Sequence, residues 1–300
     1  PAAIQKGIAN SAIAALSPLE MVRDRRSLTA AAIIITPSRI IRPIETEPLC
    51  ISLSLRNMAY QRVTILPERR LAFRRATDMR RRMTDAPPSS TDVLIVGAGI
   101  AGASLAAALA PWRRVLLIEA EDAPGYHATG RSAAFWHETY GGPGVQPLSA
   151  ASFDLLNDPP RAFSDHGFLS RRTALNLARR EDAVDVDGFA DRFSAQGVAI
   201  ERMSGTAIER LVPGIRPEWS EAAYEPACSD IDVGALHAAY LRAAMRGGAT
   251  LATRARVGGA RRTGSGWEVR LGNETIRANV IVNAAGAWAD GVAEACGASP

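Results

Sequence analysis

The hydrophobic pattern of residues 92–119 predicts two parallel strands joined by a helix. Residues 93–96 and 115–118 are uninterrupted runs of Val, Leu and Ile, which is typical of strands buried on both faces of a sheet. Between them, residues 103–110 are rich in Ala, the residue with the highest helix propensity. Because parallel strands need a crossover connection, this order predicts a strand–helix–strand unit.

The turn between the first strand and the helix contains Gly97, Gly99 and Gly102 in the spacing GxGxxG. The first glycine permits a tight turn, the second lets a ligand approach the backbone, and the third allows close packing of helix on strand. A pyrophosphate would lie at the helix N-terminus, where free N–H groups and the positive end of the dipole face it. Glu119 ends the second strand, 17 residues after Gly102, where an acid accepts ribose hydroxyls. The unit is therefore predicted to bind a dinucleotide with a free 2′-hydroxyl, NAD or FAD.

After this unit, short predicted helices and strands follow one another without internal repeats. The predicted helices are residues 147–156, 205–213 and 233–246. Pro213 ends the second of these helices, and Asp232 caps the third. The predicted strands are residues 250–257, 267–271 and 278–283, with a hairpin turn at 264–266.

Residues 1–90 show no sustained hydrophobic period, since Pro and Arg interrupt every candidate element. Three interpretations remain open for this segment. It is a twin-arginine targeting signal around Arg25 and Arg26, a disordered basic arm, or a non-native extension ahead of a natural start at Met83. In each case we predict that residues 1–90 form no domain.

Composition narrows the classes of partner. The chain has 300 residues, of which 47% are hydrophobic and 22% charged, as is usual for a globular protein. Its net charge of +4 comes from the first 90 residues, so no nucleic-acid partner is predicted. The three cysteines and four histidines lack metal-ligand spacing, and a reducing, cytoplasmic location is expected. The longest early apolar run, residues 28–37, is too short to cross a bilayer, so no integral membrane segment is predicted.

Two further motifs decide which dinucleotide is expected. Residues 129–134, Thr-Gly-Arg-Ser-Ala-Ala, follow the acidic end of the second strand, and residues 282–288, Val-Asn-Ala-Ala-Gly-Ala-Trp, end a late apolar strand. Together with the glycine turn, they resemble the D-amino acid oxidase-type family of FAD-dependent oxidoreductases from about residue 92 to residue 300. Within that family, residues 124–134 are most similar to the bacterial D-arginine dehydrogenase branch.

The resemblance implies that these motifs bind FAD. Because none of the three cysteines lies in a motif placed for flavin attachment, we predict that the binding is noncovalent. The glycine turn would bind the pyrophosphate, Glu119 the adenosine ribose, and the main chain of Val257 the adenine. Residues 129–133 would lie along the flavin, and residues 285–288 would return the chain to it. The implied FAD-binding residues are Gly97, Ala98, Gly99, Ile100, Ala101, Gly102, Glu119, Ala120, Thr129, Arg131, Ser132, Ala133, Val257, Ala285, Gly286 and Trp288.

The resemblance also implies three residues of a substrate pocket. Tyr140, beside two glycines, stands where the relative has an active-site tyrosine on a mobile loop, and it is the one candidate catalytic side chain. Phe135 stands where the relative has a histidine, and Ala174 where it has the carboxylate that meets a guanidinium substrate. Both differences predict a preference for neutral or apolar amino acids.

Four polar residues lie near these positions in the sequence, and the resemblance assigns them no role. Asp165 or Glu181 could supply the carboxylate that Ala174 lacks. His137 and Glu138 have no counterpart in the relative, and we expect them in a solvated loop.

The expected fold is α/β, with a Rossmann-like FAD-binding domain that is discontinuous in sequence and an incomplete α+β substrate domain. Residues 91–155 and 229–300 are expected to form the two parts of the FAD-binding domain, and residues 156–228 the substrate domain. The expected function is oxidation of the C–N bond of an amino acid, more narrowly a D-amino acid, by hydride transfer to flavin N5. The expected partners are that amino acid and an electron acceptor.

Two other functions remain open, an NAD-dependent dehydrogenase and a truncated, non-catalytic remnant. The family continues past Pro300 with further strands, an arginine that clamps the substrate carboxylate and a second glycine-rich segment. The chain is therefore expected to be an N-terminal fragment.

Overall fold

The computed structural model describes residues 50–52 and 87–299. Met83, Arg25 and Arg26, on which the interpretations of the first 90 residues rest, lie outside the described residues. The strands are β1 (Cys50–Ser52), β2 (Ser90–Val96), β3 (Val115–Ile118), β4 (Phe135–Trp136), β5 (Leu169–Arg171), β6 (Ala174–Ala178), β7 (Glu201–Ser204), β8 (Glu221–Glu225), β9 (Ser229–Ile231), β10 (Thr250–Ala252), β11 (Val257–Thr263), β12 (Gly266–Leu271) and β13 (Glu274–Asn283). The helices are α1 (Ile100–Leu109), α2 (Gln146–Asn157), α3 (Ala183–Ser194), α4 (Thr206–Leu211), α5 (Val233–Gly247) and α6 (Ala289–Ala295).

A seven-stranded sheet has the order β10–β3–β2–β13–β12–β11, with β1 beside the end of β13. Strands β10, β3, β2 and β13 run parallel, whereas β11, β12 and β13 form an antiparallel meander. β13 belongs to both parts because its first half pairs with β12 and its second half with β2. The parallel part thus combines two segments that are distant in sequence.

Apolar side chains cover both faces of the parallel strands. On one face, Val93, Ile95 and Leu117 pack with residues of α1 and α5, two helices that also contact each other. On the other face, Leu94 and Leu116 pack with the β11–β13 meander. Burial on both faces explains why β2 and β3 are continuous apolar runs rather than alternating ones.

Two antiparallel three-stranded sheets lie between these two segments in sequence. Their orders are β4–β9–β5 and β6–β8–β7, and α3 packs against the second. Trp136, Leu156 and Phe168 form a core cluster with Leu236 of α5, which connects the first small sheet to a helix of the large one. Strands β5 to β8 lie within the range predicted as a substrate domain, residues 156–228, whereas β4 and β9 lie in the two segments predicted as the FAD-binding domain. The domain boundaries remain predictions.

One strand prediction is wrong. Residues 250–257 form two strands, because β10 ends and β11 begins within this range. Between them, Arg254 has a φ of 54° and donates its N–H to the carbonyl of Glu121, and Ala255 donates its N–H to the carbonyl of Glu119. The chain therefore turns around the end of β3 and leaves the parallel edge of the sheet.

Other predicted elements are present with shifted ends. α1 begins at Ile100 rather than at residue 103, directly after the glycine turn. β13 begins at Glu274 because its antiparallel pairing with β12 lengthens it. Asp232 caps α5 as predicted, since its carboxylate accepts a hydrogen bond of 2.8 Å from the N–H of Ala235.

The described helices are short, and the longest, α5, has 15 residues. Within residues 50–52 and 87–299, no helix has the length and apolar character needed to cross a bilayer. In the same part of the chain, no group of three or more His, Cys, Asp and Glu residues could hold a metal ion.

Candidate functional site

Two glycines of the turn between β2 and α1 are required by the fold itself. Gly97 has a φ of 101°, where glycine is favoured, and a Cβ there would overlap the carbonyl oxygen of Ala284. A Cβ on Gly102 would overlap the carbonyl oxygen of Gly97. Both positions let the start of α1 and the end of β13 approach the turn, so a larger residue would push the backbone apart.

Gly99 is different. Its φ of −73° and ψ of −173° are open to any residue, and a Cβ there would meet, among the described residues, just the Oγ1 of Thr129 at 3.1 Å. The fold therefore gives little reason for a glycine. Gly99 is the N-cap of α1, where N–H groups and the helix dipole favour an anion. A glycine at this position keeps the helix N-terminus open to a ligand.

Thr129 borders the same helix N-terminus. Its Oγ1 accepts a hydrogen bond of 3.0 Å from the N–H of Ile100, which fixes the 3-10 turn Thr129–Arg131 beside α1. The N–H of Gly130 donates to the carbonyl of Gly125 at 2.7 Å, so the loop folds back on itself. The second sequence motif thus lies against the first.

His237, in α5, holds the glycine turn from another side. It is buried, and its Nε2 lies 2.8 Å from the carbonyl oxygen of Ala98. Because a carbonyl oxygen only accepts, Nε2 carries the hydrogen and donates it. A Cβ on Gly125 would lie 2.8 Å from the imidazole Cε1, so the ring also packs against that loop. The sequence contains no sign of this role, since 139 residues separate His237 from Ala98.

Glu119 follows β3 at the carboxyl edge of the parallel strands. Its Oε2 accepts a hydrogen bond from the N–H of Ala98 at 3.0 Å, and its Oε1 accepts one from the N–H of Glu121 at 3.1 Å. An ionised carboxylate has about four acceptor sites, so part of its capacity remains for hydroxyl groups. Ala120 is half-buried beside it, and Val257 follows the turn that crosses the end of β3.

The segment after β13 meets both other motifs. The N–H of Ala284 donates to the carbonyl of Val96 at 2.9 Å, which continues the strand pairing up to the glycine turn. Gly286 has a φ of 57° and opens a 3-10 turn that ends at Trp288. The indole of Trp288 is 48% exposed, and its ring centroid lies 4.3 Å from that of His127. We call the three segments that meet here, residues 97–102, 125–132 and 284–288, the dinucleotide cradle.

Comparison with known proteins identifies the family. Residues 92–299 match the family described as FAD dependent oxidoreductase, DAO. This range is more than two thirds of the chain and includes all three segments of the dinucleotide cradle. The chain belongs to this family. Because the family is FAD-dependent, the dinucleotide is FAD, and the NAD-dependent alternative is not supported.

Several solved structures share the fold. Glycine oxidase from Geobacillus kaustophilus is 25% identical, with a TM-score of 0.62 over 70% of this chain and 59% of its own. L-proline dehydrogenase from P. horikoshii is 21% identical, with a TM-score of 0.62 over 70% and 57%. L-alpha-glycerophosphate oxidase from Mycoplasma pneumoniae, with FAD bound, is 21% identical, with a TM-score of 0.61 over 69% and 57%. The chain thus spans less than two thirds of the length of each relative.

The dinucleotide cradle fits the FAD that the family uses. The N-terminus of α1 is open at Gly99. Glu119, at the end of the neighbouring strand β3, can still accept hydrogen bonds from hydroxyl groups. The guanidinium of Arg131 lies 5.0 Å from the ring centre of Tyr126, so a cation and an aromatic ring border the outer side. Ser132 and Ala133 follow in exposed backbone. This donor set suits a charged pyrophosphate with an aromatic group attached to it.

The residues predicted to meet substrate lie on or near the small sheets. Phe135, in β4, is 46% exposed, and the guanidinium of Arg172 lies 5.1 Å from its ring centre. Ala174 begins β6 and lies opposite Glu225 of β8. Tyr140 is 77% exposed. Within the described part of the chain, its hydroxyl forms no hydrogen bond, and its ring does not contact that of Phe135.

The two acids considered as replacements for the missing carboxylate both face solvent. Asp165 is exposed, and the side chain of Glu181 is 69% exposed, 4.0 Å from Arg179. The carboxylate on the strand next to Ala174 belongs instead to Glu225, which the sequence analysis missed.

The prediction of a solvated loop for His137 and Glu138 is wrong. The side chain of His137 is 18% exposed, and its Nε2 lies 2.8 Å from the Oε2 of Glu225. Glu138 donates its N–H to the Oε1 of Glu225 at 2.9 Å, and its own carboxylate accepts a hydrogen bond from Gln146. Glu225 is fully buried, and Thr139 also donates to its Oε2, at 2.9 Å. The segment turns inward because a buried carboxylate without partners is costly.

These contacts determine the ionisation of Glu225. Burial alone would raise its pKa, since the charged form loses water. The hydrogen bonds from His137, from the N–H of Glu138 and from the hydroxyl of Thr139 outweigh burial and hold the pKa below its usual range. Glu225 is therefore an ionised carboxylate inside the protein at neutral pH.

We expect Glu225→Gln to lower the free energy of unfolding by roughly 1–3 kcal/mol at neutral pH. The folded-state pKa lies below the unfolded value of about 4.3, so the ionised group stabilises the fold fully above that value. The contribution is lost as the pH falls through the folded-state pKa, and the difference between the two proteins should shrink there. Urea unfolding at stepped pH measures it, with Glu221→Gln on the same strand as the control. An equal difference at pH values of about 3 and 7 would contradict the prediction.

Proposed function

We propose that the complete protein is an FAD-dependent oxidoreductase that oxidises the C–N bond of an amino acid, more narrowly a D-amino acid. The family assignment and the similarity to glycine oxidase support the general reaction. The chemistry that a bound FAD supplies is acceptance of a hydride from the substrate α-carbon at N5, which leaves an imino acid for hydrolysis. A second partner, an electron acceptor, then takes the electrons.

In this proposal, residues of the chain bind and orient. The N-terminus of α1 binds the pyrophosphate, and Glu119 binds the adenosine ribose next to Ala120 and Val257. Residues 129–133 and 285–288 border the flavin, and Tyr140 contacts the substrate. His237 acts indirectly, because its hydrogen bond to Ala98 keeps the glycine turn in place.

One observation carries the proposal. Gly99 has an ordinary backbone conformation, and among the described residues a Cβ there would meet just the Oγ1 of Thr129, at 3.1 Å, so the fold gives little reason for a glycine. It caps a helix whose N-terminus lies within reach of all three family motifs. An open anion site at the meeting point of these motifs is what a dinucleotide requires.

We further propose that neutral or apolar D-amino acids are preferred, although residues 124–134 resemble the D-arginine dehydrogenase branch. Ala174 offers no charge to a guanidinium substrate. Glu225, on the adjacent strand, has both oxygens engaged by other residues and is fully buried. The guanidinium of Arg172 over Phe135 is already paired with Asp230 at 3.0 Å, so this pair adds no free carboxylate for a cationic side chain.

Absorbance spectroscopy of the purified complete protein tests the cofactor and the reaction. We expect the visible bands of oxidised flavin, release of FAD on denaturation, and bleaching of the bands when a D-amino acid is added without oxygen. An L-amino acid panel is the control for configuration. Bleaching by L- but not D-amino acids would contradict the proposed configuration. A protein that takes up no FAD when it is supplied would overturn the proposed function in favour of a non-catalytic remnant.

A further inference from the structure

We propose that Glu225 and His137 are positioning residues, which hold the segment that carries Tyr140 in the place where it meets substrate. We call residues 137–142 the Tyr140 segment. This inference rests on the proposed function, because a role for Tyr140 at the substrate belongs to that proposal. It adds a buried ionic anchor that neither the family motifs nor the sequence pattern contain.

The anchor joins one carboxylate to three consecutive residues. The Oε1 of Glu225 accepts the N–H of Glu138 at 2.9 Å. Its Oε2 accepts the hydroxyl of Thr139 at 2.9 Å and lies 2.8 Å from the Nε2 of His137. The same Nε2 lies 3.0 Å from the hydroxyl oxygen of Thr139, and since that hydroxyl gives its hydrogen to Glu225, Nε2 carries a hydrogen and faces both oxygens. The residue that follows these three is Tyr140 itself.

A second contact fixes the far side of the Tyr140 segment. The side-chain amide of Gln146, buried at the start of α2, donates to the carboxylate of Glu138 at 2.9 Å. Between Tyr140 and α2, Gly141 and Gly142 have φ values of 82° and 83°, so the chain turns sharply there. The backbone around Tyr140 is therefore held by Glu225 on one side and by α2 on the other.

Tyr140 depends on this anchor because its own side chain has little to hold it. The ring is 77% exposed, and within the described part of the chain no hydrogen bond or ring contact fixes it. Its position is thus set by its main chain. Glu225 also lies opposite Ala174, so the anchor contacts the Tyr140 segment directly and borders the predicted substrate position on β6.

An ionic anchor is a costly way to fix a loop. The other buried residues of β8 are Ala222 and Ala223, and an apolar residue at position 225 would match them. A fully buried carboxylate stabilises structure only when its partners are in place, and removing one partner leaves the charge unpaired. A buried carboxylate therefore selects one arrangement of its neighbours, which is what a positioning role requires. The charge of Glu225 also acts on Cys228, because burial first, and then Glu225 and Asp230, raise the pKa of that thiol.

Hydrogen exchange and steady-state kinetics on the flavin-loaded complete protein test the inference. We compare His137→Ala, His137→Gln and Glu225→Gln. The matched controls are His166→Ala, at an exposed histidine, and Glu221→Gln, at a half-buried glutamate on the same strand as Glu225. We expect amide exchange in residues 138–142 to rise about tenfold more than exchange in β2 in both His137→Ala and Glu225→Gln, because β2 lies in the core and reports the loss of global stability alone. The KM for the amino acid should rise about tenfold with bound flavin unchanged, and His137→Gln, which keeps a donor, should restore part of both values.

The outcomes separate two failures. Unchanged exchange in residues 138–142 would show that Glu225 does not anchor the Tyr140 segment. Faster exchange with an unchanged KM would show that the anchor has a structural role alone. Either result overturns this inference and leaves the proposed function intact. An unmodified protein that holds no flavin or oxidises no amino acid would overturn the proposed function, and the substrate role of the anchor with it.

Discussion

Gly99→Val is expected to abolish flavin binding and to leave the fold in place. The backbone angles at Gly99 suit any residue, so the substitution costs about 1 kcal/mol for a poor N-cap and about 1–3 kcal/mol for displacing the Thr129 hydroxyl, which would lie 3.1 Å from the new Cβ. Typical stabilities of about 5–15 kcal/mol exceed this cost. The branched side chain would fill the space at the N-terminus of α1 that a pyrophosphate needs. Flavin absorbance per protein, together with the melting temperature, measures both effects.

Two other glycines serve as matched controls for Gly99. Gly102→Ala should fail at folding, because its Cβ would overlap the main-chain carbonyl of Gly97, which cannot move aside as a side chain could. Gly188→Ala, exposed in α3 with no atom near its Cβ, should keep the flavin and gain about 1 kcal/mol of stability. Full flavin content in a folded Gly99→Val protein would contradict the assignment of the cradle.

The part of the fold around the cradle could be predicted because its information is local. A continuous apolar run, a glycine turn and an Ala-rich segment each specify their own geometry, and they follow one another within residues 92–119. The start of α5 was likewise predicted from Asp232, a cap that acts three residues away. The family resemblance then joined the three cradle segments, which residue patterns alone do not connect.

The failures have a common physical cause, which is a contact between residues distant in sequence. Nothing within residues 250–257 shows that Arg254 and Ala255 bond to main-chain atoms at the end of β3. Polar residues in a loop usually face solvent, so His137 and Glu138 were predicted to do the same. Their buried partner lies 87 residues beyond Glu138, at the end of a strand whose two glutamates look alike in sequence.

Burial and pairing also decide whether Glu225, which the sequence analysis missed, can bind a cationic substrate. A carboxylate next to Ala174 could in principle receive a cationic substrate, and Glu225 lies opposite Ala174. Its oxygens are occupied by Glu138, Thr139 and His137, and water does not reach it. A guanidinium would have to displace these donors to pair with it. Glu225 therefore offers no free carboxylate to a cationic substrate, and the selectivity that we propose rests on Ala174.

Ala174→Glu is expected to shift the selectivity of the complete protein from D-Leu toward D-Arg. A buried cation without a partner costs several kcal/mol, which corresponds to about three decades in kcat/KM. The unmodified protein should therefore prefer D-Leu, and a carboxylate at position 174 should recover much of that factor for D-Arg. Ala174→Gln has nearly the same size and no charge, so it should leave the ratio close to its original value. Steady-state kcat/KM for both substrates measures the shift. Two results would contradict the prediction: a higher kcat/KM for D-Arg than for D-Leu in the unmodified protein, or the same change of this ratio in Ala174→Glu and Ala174→Gln. Each would show that charge at position 174 does not determine selectivity.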